Sequence, residues 1–218
     1  MNQNNLDEPL ALFGGTFDPV HYGNLRCAEE ARQKLGLDQL FLLPAGNPAH
    51  RATPQATPEQ RLDMLQLAQL EFPALSIDDR ELRRSGPSYM VDTLREIREE
   101  FPQRSLLLLI GQDAANRLHK WHEWEQLFSL TNLVILTRPG ESEDYRHDLA
   151  NKIQNRLLTE VEELKNSQAD GVLQLRVSPV EISATTIQSM MRLGRSPKSM
   201  MPDSILNYID ENRLYSPD

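Results

Sequence analysis

Leu10-Ala11-Leu12-Phe13-Gly14-Gly15-Thr16-Phe17-Asp18-Pro19-Val20-His21-Tyr22-Gly23-Asn24 is the stretch from which this chain is best read. A short apolar run stops at two glycines, and a polar turn then leads into a helical pattern. The expectation is a buried strand, a Gly-rich turn and a helix start. Gly14 and Gly15 lack a Cβ, so their backbone can approach a ligand closely. Asp18-Pro19 is turn chemistry, because proline sets φ and an Asp carboxylate bonds nearby amides. The helix that follows offers unpaired N–H groups and the positive end of its dipole, which favour an anion such as phosphate. His21 and Asn24 are three residues apart and share a helix face, and helical side chains lean toward the N-terminus, back at that anion. A glycine pair and a lone His near a helix start also occur as plain structure. With Thr16, His21 and Asn24 all in register, phosphate binding is the better reading.

Outward from this stretch, apolar runs alternate with helical ones. Tyr22 to Leu35 reads as an amphipathic helix closed by Gly36. Leu40–Leu43, Leu75–Ile77, Leu106–Ile110, Leu133–Leu136 and Val172–Val177 read as strands. Thr57-Pro58-Glu59-Gln60 opens a helix with a capping box, and Ser88 is expected to cap a helix over Tyr89–Glu100. Residues 144–165 read as a polar, helical insertion or solvated face, and Ala184–Leu193 and Asp203–Glu211 as two last helices. Strands separated by helices predict an α/β fold, a Rossmann-like doubly wound parallel sheet with helices on both faces. Ligands in such sheets bind beyond the carboxyl ends of the strands. Four polar motifs fall at such ends: Gly14–Asn24, Gly46–Arg51, Gly111–Asp113 and Arg138–Gly140.

With 218 residues the chain suits one domain, a core over about residues 10–180 and a small helical extension over 181–218. A net charge of −9 argues against nucleic acid or an anionic membrane as partner, while leaving room for a locally positive pocket. Cys27 is the single cysteine, so no intrachain disulfide or Cys-based metal site can form, and packing is its expected role. Residues 1–9 are polar and acidic, unlike a signal peptide, and the longest aliphatic run is too short to span a bilayer. The expected location is cytoplasmic.

The string GGTFDPVHYGN resembles the signature of the nucleotidyltransferase superfamily, a Gly-rich turn followed by H-x-G-H, and is most similar to that of bacterial nicotinate-nucleotide adenylyltransferases. Asn24 stands where the family has its second His; related H-x-G-H enzymes, some aminoacyl-tRNA synthetases among them, also carry Asn there. It gives up a potential cation and keeps a hydrogen-bond donor. Further segments are similar. Pro44–Arg51 resembles the family's P-x-x-x-P-P-H-[KR], which implies a place for His50 and Arg51 near the triphosphate of ATP. Pro87–Leu94 resembles P-S-Y-T-x-x-T-L, whose helix start receives the pyridine carboxylate, with Met90 in place of Thr. Gly111-Gln112-Asp113 matches G-x-D, whose Asp binds ribose hydroxyls. Lys120-Trp121-His122-Glu123-Trp124 resembles T-W-x-x-[WY], which implies Trp121 stacked on the nicotinate ring and the backbone at His122 near its carboxylate; Trp124, an aromatic three residues on, reads as core packing. Ile182–Gln188 resembles I-S-[SA]-T-x-I-R, with Gln188 in place of Arg and Arg192 one turn further on.

The resemblance implies transfer of an adenylyl group from ATP to nicotinate mononucleotide, releasing pyrophosphate, with Mg²⁺ carried by the ATP phosphates and no metal site of the protein's own. It assigns His21 and Asn24 to the α-phosphate and Gly14, Gly15, Thr16 and Phe17 to the pocket wall. His50, Arg51, Ser183, Thr185 and Arg192 go to ATP phosphates, and Ser88, Tyr89, Met90, Asp113, Trp121 and His122 to nicotinate mononucleotide. Two alternatives stay open: a related adenylyl- or cytidylyltransferase acting on another phosphate monoester such as phosphopantetheine, and a nucleotide-binding homologue impaired in catalysis by Asn24 and Gln188. An NAD-dependent oxidoreductase is disfavoured, since the turn lacks G-x-G-x-x-G spacing.

Overall fold

The computed structural model describes residues 8–48 and 53–216. The opening stretch forms strand β1 (Leu10–Gly15) and helix α1 (Tyr22–Lys34). Next come β2 (Leu40–Pro44), α2 (Pro58–Gln69), β3 (Leu75–Ile77), the single turn α3 (Arg80–Arg83) and α4 (Met90–Glu100). β4 (Leu106–Gly111) leads through short helices α5 (Gln112–Ala115) and α6 (Leu127–Leu130) to β5 (Asn132–Thr137). After α7 (His147–Gln154), β6 (Leu157–Leu158), α8 (Val161–Asn166) and β7 (Val172–Arg176), the chain ends with α9 (Ala184–Arg192) and α10 (Asp203–Glu211).

The seven strands form one sheet in the order β3-β2-β1-β4-β5-β7-β6, with every pairing parallel. From β1 the chain winds outward to β2 and β3, then crosses to β4 and winds the other way. The switch point therefore lies between β1 and β4, where Gly15 and Gly111 end their strands.

The strands read as continuous apolar runs because both faces are covered. Ala11, Phe13, Leu107, Leu109 and Val134 point into one core cluster, with Leu25 and Ala28 of α1, Met64 and Leu65 of α2, and Ile205 and Ile209 of α10. The alternate residues Leu10, Leu12, Leu106, Leu108 and Leu133 join the opposite cluster, against Val91, Leu94 and Ile97 of α4 and Phe128 of α6. Cys27 is buried in the first of these, as packing.

Local sequence signals translate directly. Thr57 Oγ1 accepts from Gln60 N at 3.3 Å and Gln60 Oε1 accepts from Thr57 N at 2.9 Å, which is the capping box. Gly36 closes α1 at φ 60°, a conformation glycine adopts without strain. Residues 144–165 are more than a polar insertion. They hold α7, α8 and the sheet-edge strand β6, whose two residues are too few to show a period of two. No helix among the described residues is long and apolar enough to cross a membrane.

Candidate active site

The Gly-rich turn folds tightly on itself and on α4. A Cβ on Gly15 would lie 2.7 Å from the Phe17 ring, and one on Gly14 would lie 3.3 Å from Met90 Cε. Phe17 is buried and sits at φ 51°, so its ring is held over the glycines by its surroundings rather than by its own backbone preference. The same crowding marks α1's first turn, where a Cβ on Gly23 would meet the carbonyl oxygen of Ile182 at 2.7 Å. That contact brings the approach to α9 against the start of α1. Ser183 caps α9, its Oγ accepting from Thr186 N at 3.1 Å, and Thr185 is exposed in the first turn.

His21 precedes α1 with 6% of its surface exposed, and its Nδ1 is buried without a hydrogen-bond partner among the described residues. Burial first, and then the positive charge of Arg138, lowers its pKa to about 4. At neutral pH the ring is therefore an uncharged imidazole, with one donor and one acceptor nitrogen. Asn24 Oδ1 accepts from the backbone N–H of His21 at 3.3 Å. Only the carbonyl end of a carboxamide can accept that proton, so Nδ2 is left as the donor end.

Behind the turn lies a polar knot. Asp18 is buried, and its carboxylate accepts from Gln55 N at 2.8 Å, Ala56 N at 3.1 Å, the Tyr215 hydroxyl at 2.6 Å and Gln188 Nε2 at 3.3 Å. Arg61 of α2 is fully buried and donates to the carbonyl oxygens of Thr16 at 2.8 Å, Ala45 at 2.6 Å and Gly46 at 3.0 Å. Burial lowers its pKa and the Asp18 charge opposes that shift. A buried cation bonded to three carbonyls ties the end of β1 to the loop after β2.

That loop meets the entrance to α4. Ser88 N donates to Asn47 O at 2.8 Å and Ser88 Oγ accepts from Asn47 N at 3.2 Å. Ser88 is thus not the helix cap expected for it. Tyr89 takes the cap position with no side-chain bond, because the Ser88 hydroxyl is already committed to the loop. Beneath, Thr93 Oγ1 donates to Glu81 Oε1 at 2.7 Å and accepts from Arg84 Nη1 at 3.0 Å. Burial raises the pKa of Glu81. A tilted contact at 4.3 Å joins the Tyr89 and His122 rings, Trp121 is half-buried against the adjoining core cluster, and Trp124 packs edge-on to Phe128.

Gly14, Gly15, Thr16, Phe17, His21 and Asn24 thus form one turn, bordered by Met90 on one side and by the segment before Ser183 on the other. Ser88, Tyr89 and His122 gather at the start of α4. Asp113 lies exposed in the first turn of α5, where Gly111 holds the cap position, with Arg117 at 3.7 Å. Arg192 is exposed at the end of α9 opposite Ser183. His50 and Arg51 lie outside the described residues. Arg138 is the residue that motif reading placed at a strand end without giving it a role, and it stands close enough to His21 to act on its ring. Asp18 falls inside the GGTFDPVHYGN string only as turn chemistry, and Arg61 and Glu81 carry no motif. Their importance comes from burial, which spacing does not report.

The comparisons with known proteins agree with this geometry. A cytidylyltransferase-like family model matches residues 12–190. The chain is 42% identical over 214 residues to a protein of Dechloromonas aromatica, covering 96% of this chain and 99% of that one. It is 44% identical over 209 residues to one of Methylococcus capsulatus, covering 95% and 99%. Both bear the name "probable nicotinate-nucleotide adenylyltransferase". Among solved structures, Plasmodium falciparum nicotinic acid mononucleotide adenylyltransferase complexed with NaAD shares the fold, with a TM-score of 0.74 at 14% identity, over 95% of this chain and 97% of that one. The same enzyme complexed with APC superposes with a TM-score of 0.72. The chain belongs to the cytidylyltransferase-like nucleotidyltransferases, in the branch of the nicotinate-nucleotide adenylyltransferases.

Proposed function

We propose that this protein transfers the adenylyl group of ATP to nicotinate mononucleotide, giving nicotinate adenine dinucleotide and pyrophosphate. The observation that carries the reading is His21: a buried, neutral imidazole with an unpartnered Nδ1, set at a helix start beside two glycines and within reach of Arg138's charge. The acceptor phosphate has its second pKa near ~6, so it is already a nucleophilic dianion at neutral pH and no general base is required. The site supplies alignment and preorganised donors toward charge that builds on the α-phosphate and the leaving pyrophosphate.

In this reading His21 and the Asn24 carboxamide donate to the α-phosphate, and the Gly14–Gly15 backbone lets it come close. Arg138 adds positive charge beside His21, and the capped start of α9 with Ser183 and Thr185 faces further phosphate oxygens. The His50–Arg51 pair is assigned to the triphosphate on family pattern alone, and Arg192 as a partial stand-in, one turn further on, for the family Arg that Gln188 replaces. The amides at the start of α4, at Tyr89 and Met90, suit the pyridine carboxylate, with Trp121 and His122 along the ring and Asp113 at ribose. Among the described residues no group of three or more His, Cys, Asp or Glu could hold a metal ion. Mg²⁺ is assigned to the ATP phosphates, as part of the MgATP substrate.

The test is pyrophosphate release from MgATP with nicotinate and nicotinamide mononucleotides side by side. Release with a strong preference for the nicotinate form is expected. Release with neither, despite MgATP binding, would refute the assignment and leave a nucleotide-binding protein.

A further inference from the structure

Asp18 lies in the turn between β1 and α1 with its carboxylate buried, and three distant parts of the chain converge on it. Its Oδ1 accepts from Ala56 N and from the Tyr215 hydroxyl, at 3.1 Å and 2.6 Å. Its Oδ2 accepts from Gln55 N at 2.8 Å and from Gln188 Nε2 at 3.3 Å, and its backbone carbonyl accepts from the same Nε2 at 2.7 Å. Gln188 is bonded at its other end too, since Gln55 Nε2 donates to Gln188 Oε1 at 2.6 Å. Tyr215 itself is 6% exposed and lies past the end of α10, so the close of the described chain folds back onto its first turn.

Four of these bonds run to the Asp18 carboxylate. Charge-assisted bonds of this kind are the stronger ones. They join the turn between β1 and α1 to the start of α2, to α9 and to the C-terminal segment. Two of those elements, α1 and α9, present the helix starts assigned above to phosphate. An Arg at position 188 has no acceptor for Gln55 Nε2, so the Gln55 carboxamide would have to turn its oxygen toward the guanidinium.

We propose that Tyr215 and Gln188 are positioning residues for nucleotide binding, acting through Asp18 to hold the turn of residues 16–21 in register with α2 and α9. The proposal rests on reading that turn as the ATP site. Neither side chain touches the reacting atoms in this account. Each holds Asp18, and Asp18 holds the turn that carries His21.

Tyr215→Phe keeps the ring and removes one bond to the carboxylate. Tyr208→Phe is the control, since Tyr208 donates to Asp63 Oδ2 at 2.7 Å and so joins α10 to α2 without touching the turn. In Tyr215→Phe we expect amide hydrogen exchange at Gln55 and Ala56 to quicken about tenfold, and kcat/KM for ATP to fall about tenfold, while KM for nicotinate mononucleotide stays put. In Tyr208→Phe neither changes. If both variants behave alike, or if exchange quickens in Tyr215→Phe with kcat/KM intact, Tyr215 is structural only and the proposal falls. Unchanged exchange also overturns it. If the wild type releases no pyrophosphate, the functional reading has failed on its own. The proposal is then judged by calorimetric MgATP affinity, where a tenfold loss in Tyr215→Phe supports it and no loss ends it. Should Tyr215→Phe not fold, Gln188→Leu under the same readouts decides.

Discussion

His21 meets an incoming phosphate as a neutral imidazole, because its burial and Arg138 both disfavour the protonated form. The unfolded chain has no such constraint, and its His titrates near 6.5. Between that value and about 4 the unfolded state binds a proton that the folded state refuses, so stability must rise with pH across this window and be lost on acidification. The gap corresponds to about 3 kcal/mol, one pKa unit being about 1.4 kcal/mol. Glu81 works in the opposite sense just above its ordinary pKa, since burial keeps its proton on in the fold. Comparison with His21→Gln separates the two. From pH 6.5 down to 4 the wild type should lose up to about 3 kcal/mol more than the variant, read as the difference in urea midpoints. Parallel profiles would show that His21 is not held neutral. The place of His21 was legible in the sequence from the spacing of glycines, His and Asn. Its protonation state was not, because that depends first on burial by the folded chain and then on Arg138, more than a hundred positions away.

Elements bring the two halves of the pocket together, and the tightest joint is at Gly46. A Cβ there would stand 2.2 Å from the carbonyl oxygen of Glu81 and 2.8 Å from Ser88 Oγ. The first of these is backbone of α3, which cannot rotate aside. Gly46→Ala must therefore push the loop after β2 away from α3, against the Arg61 bond to the carbonyl of Gly46. Overpacking of this kind costs roughly 1–3 kcal/mol. At about 2–4 °C per kcal/mol for a chain of this size, the melting temperature should drop by roughly 2–12 °C. A drop below 2 °C would mean that the loop has room to move. The strands and the capping box around this joint were readable because their signals are local: apolar runs, Gly after a helix, Thr three residues before Gln. Ser88 was misread as a cap for the complementary reason. Its hydroxyl could serve the helix or the loop, and the choice depends on Asn47, which only the folded chain brings alongside.

Taken whole, the molecule carries a net charge of −9 and yet is read as binding two anions. The conflict is resolved by placement. The starts of α1, α4 and α9, together with Arg138 and buried Arg61, collect at the carboxyl edge of the sheet, while the acidic surplus is spread over the chain. Doubly wound topology predicted that edge from the sequence, since alternating strands and helices put every strand's loop on one side. The Asp18 knot was not predictable, because its members come from the turn, from the segment before α2, from α9 and from the C-terminal segment, with no spacing to link them. A site assembled from so many elements couples ligand binding to global stability. At about 100 times its Kd, a ligand that binds only the folded state adds about 2.7 kcal/mol, which is roughly 5–10 °C in melting temperature here. MgATP and nicotinate mononucleotide should each give such a shift. Nicotinamide mononucleotide at the same concentration should give clearly less, because it lacks the carboxylate that the amides at the start of α4 are proposed to bind. Equal shifts from the two mononucleotides would remove the carboxylate site from α4. A shift from nicotinate mononucleotide that disappears in Met90→Pro, which deletes one of those amides at a helix position where proline is tolerated, would place it there.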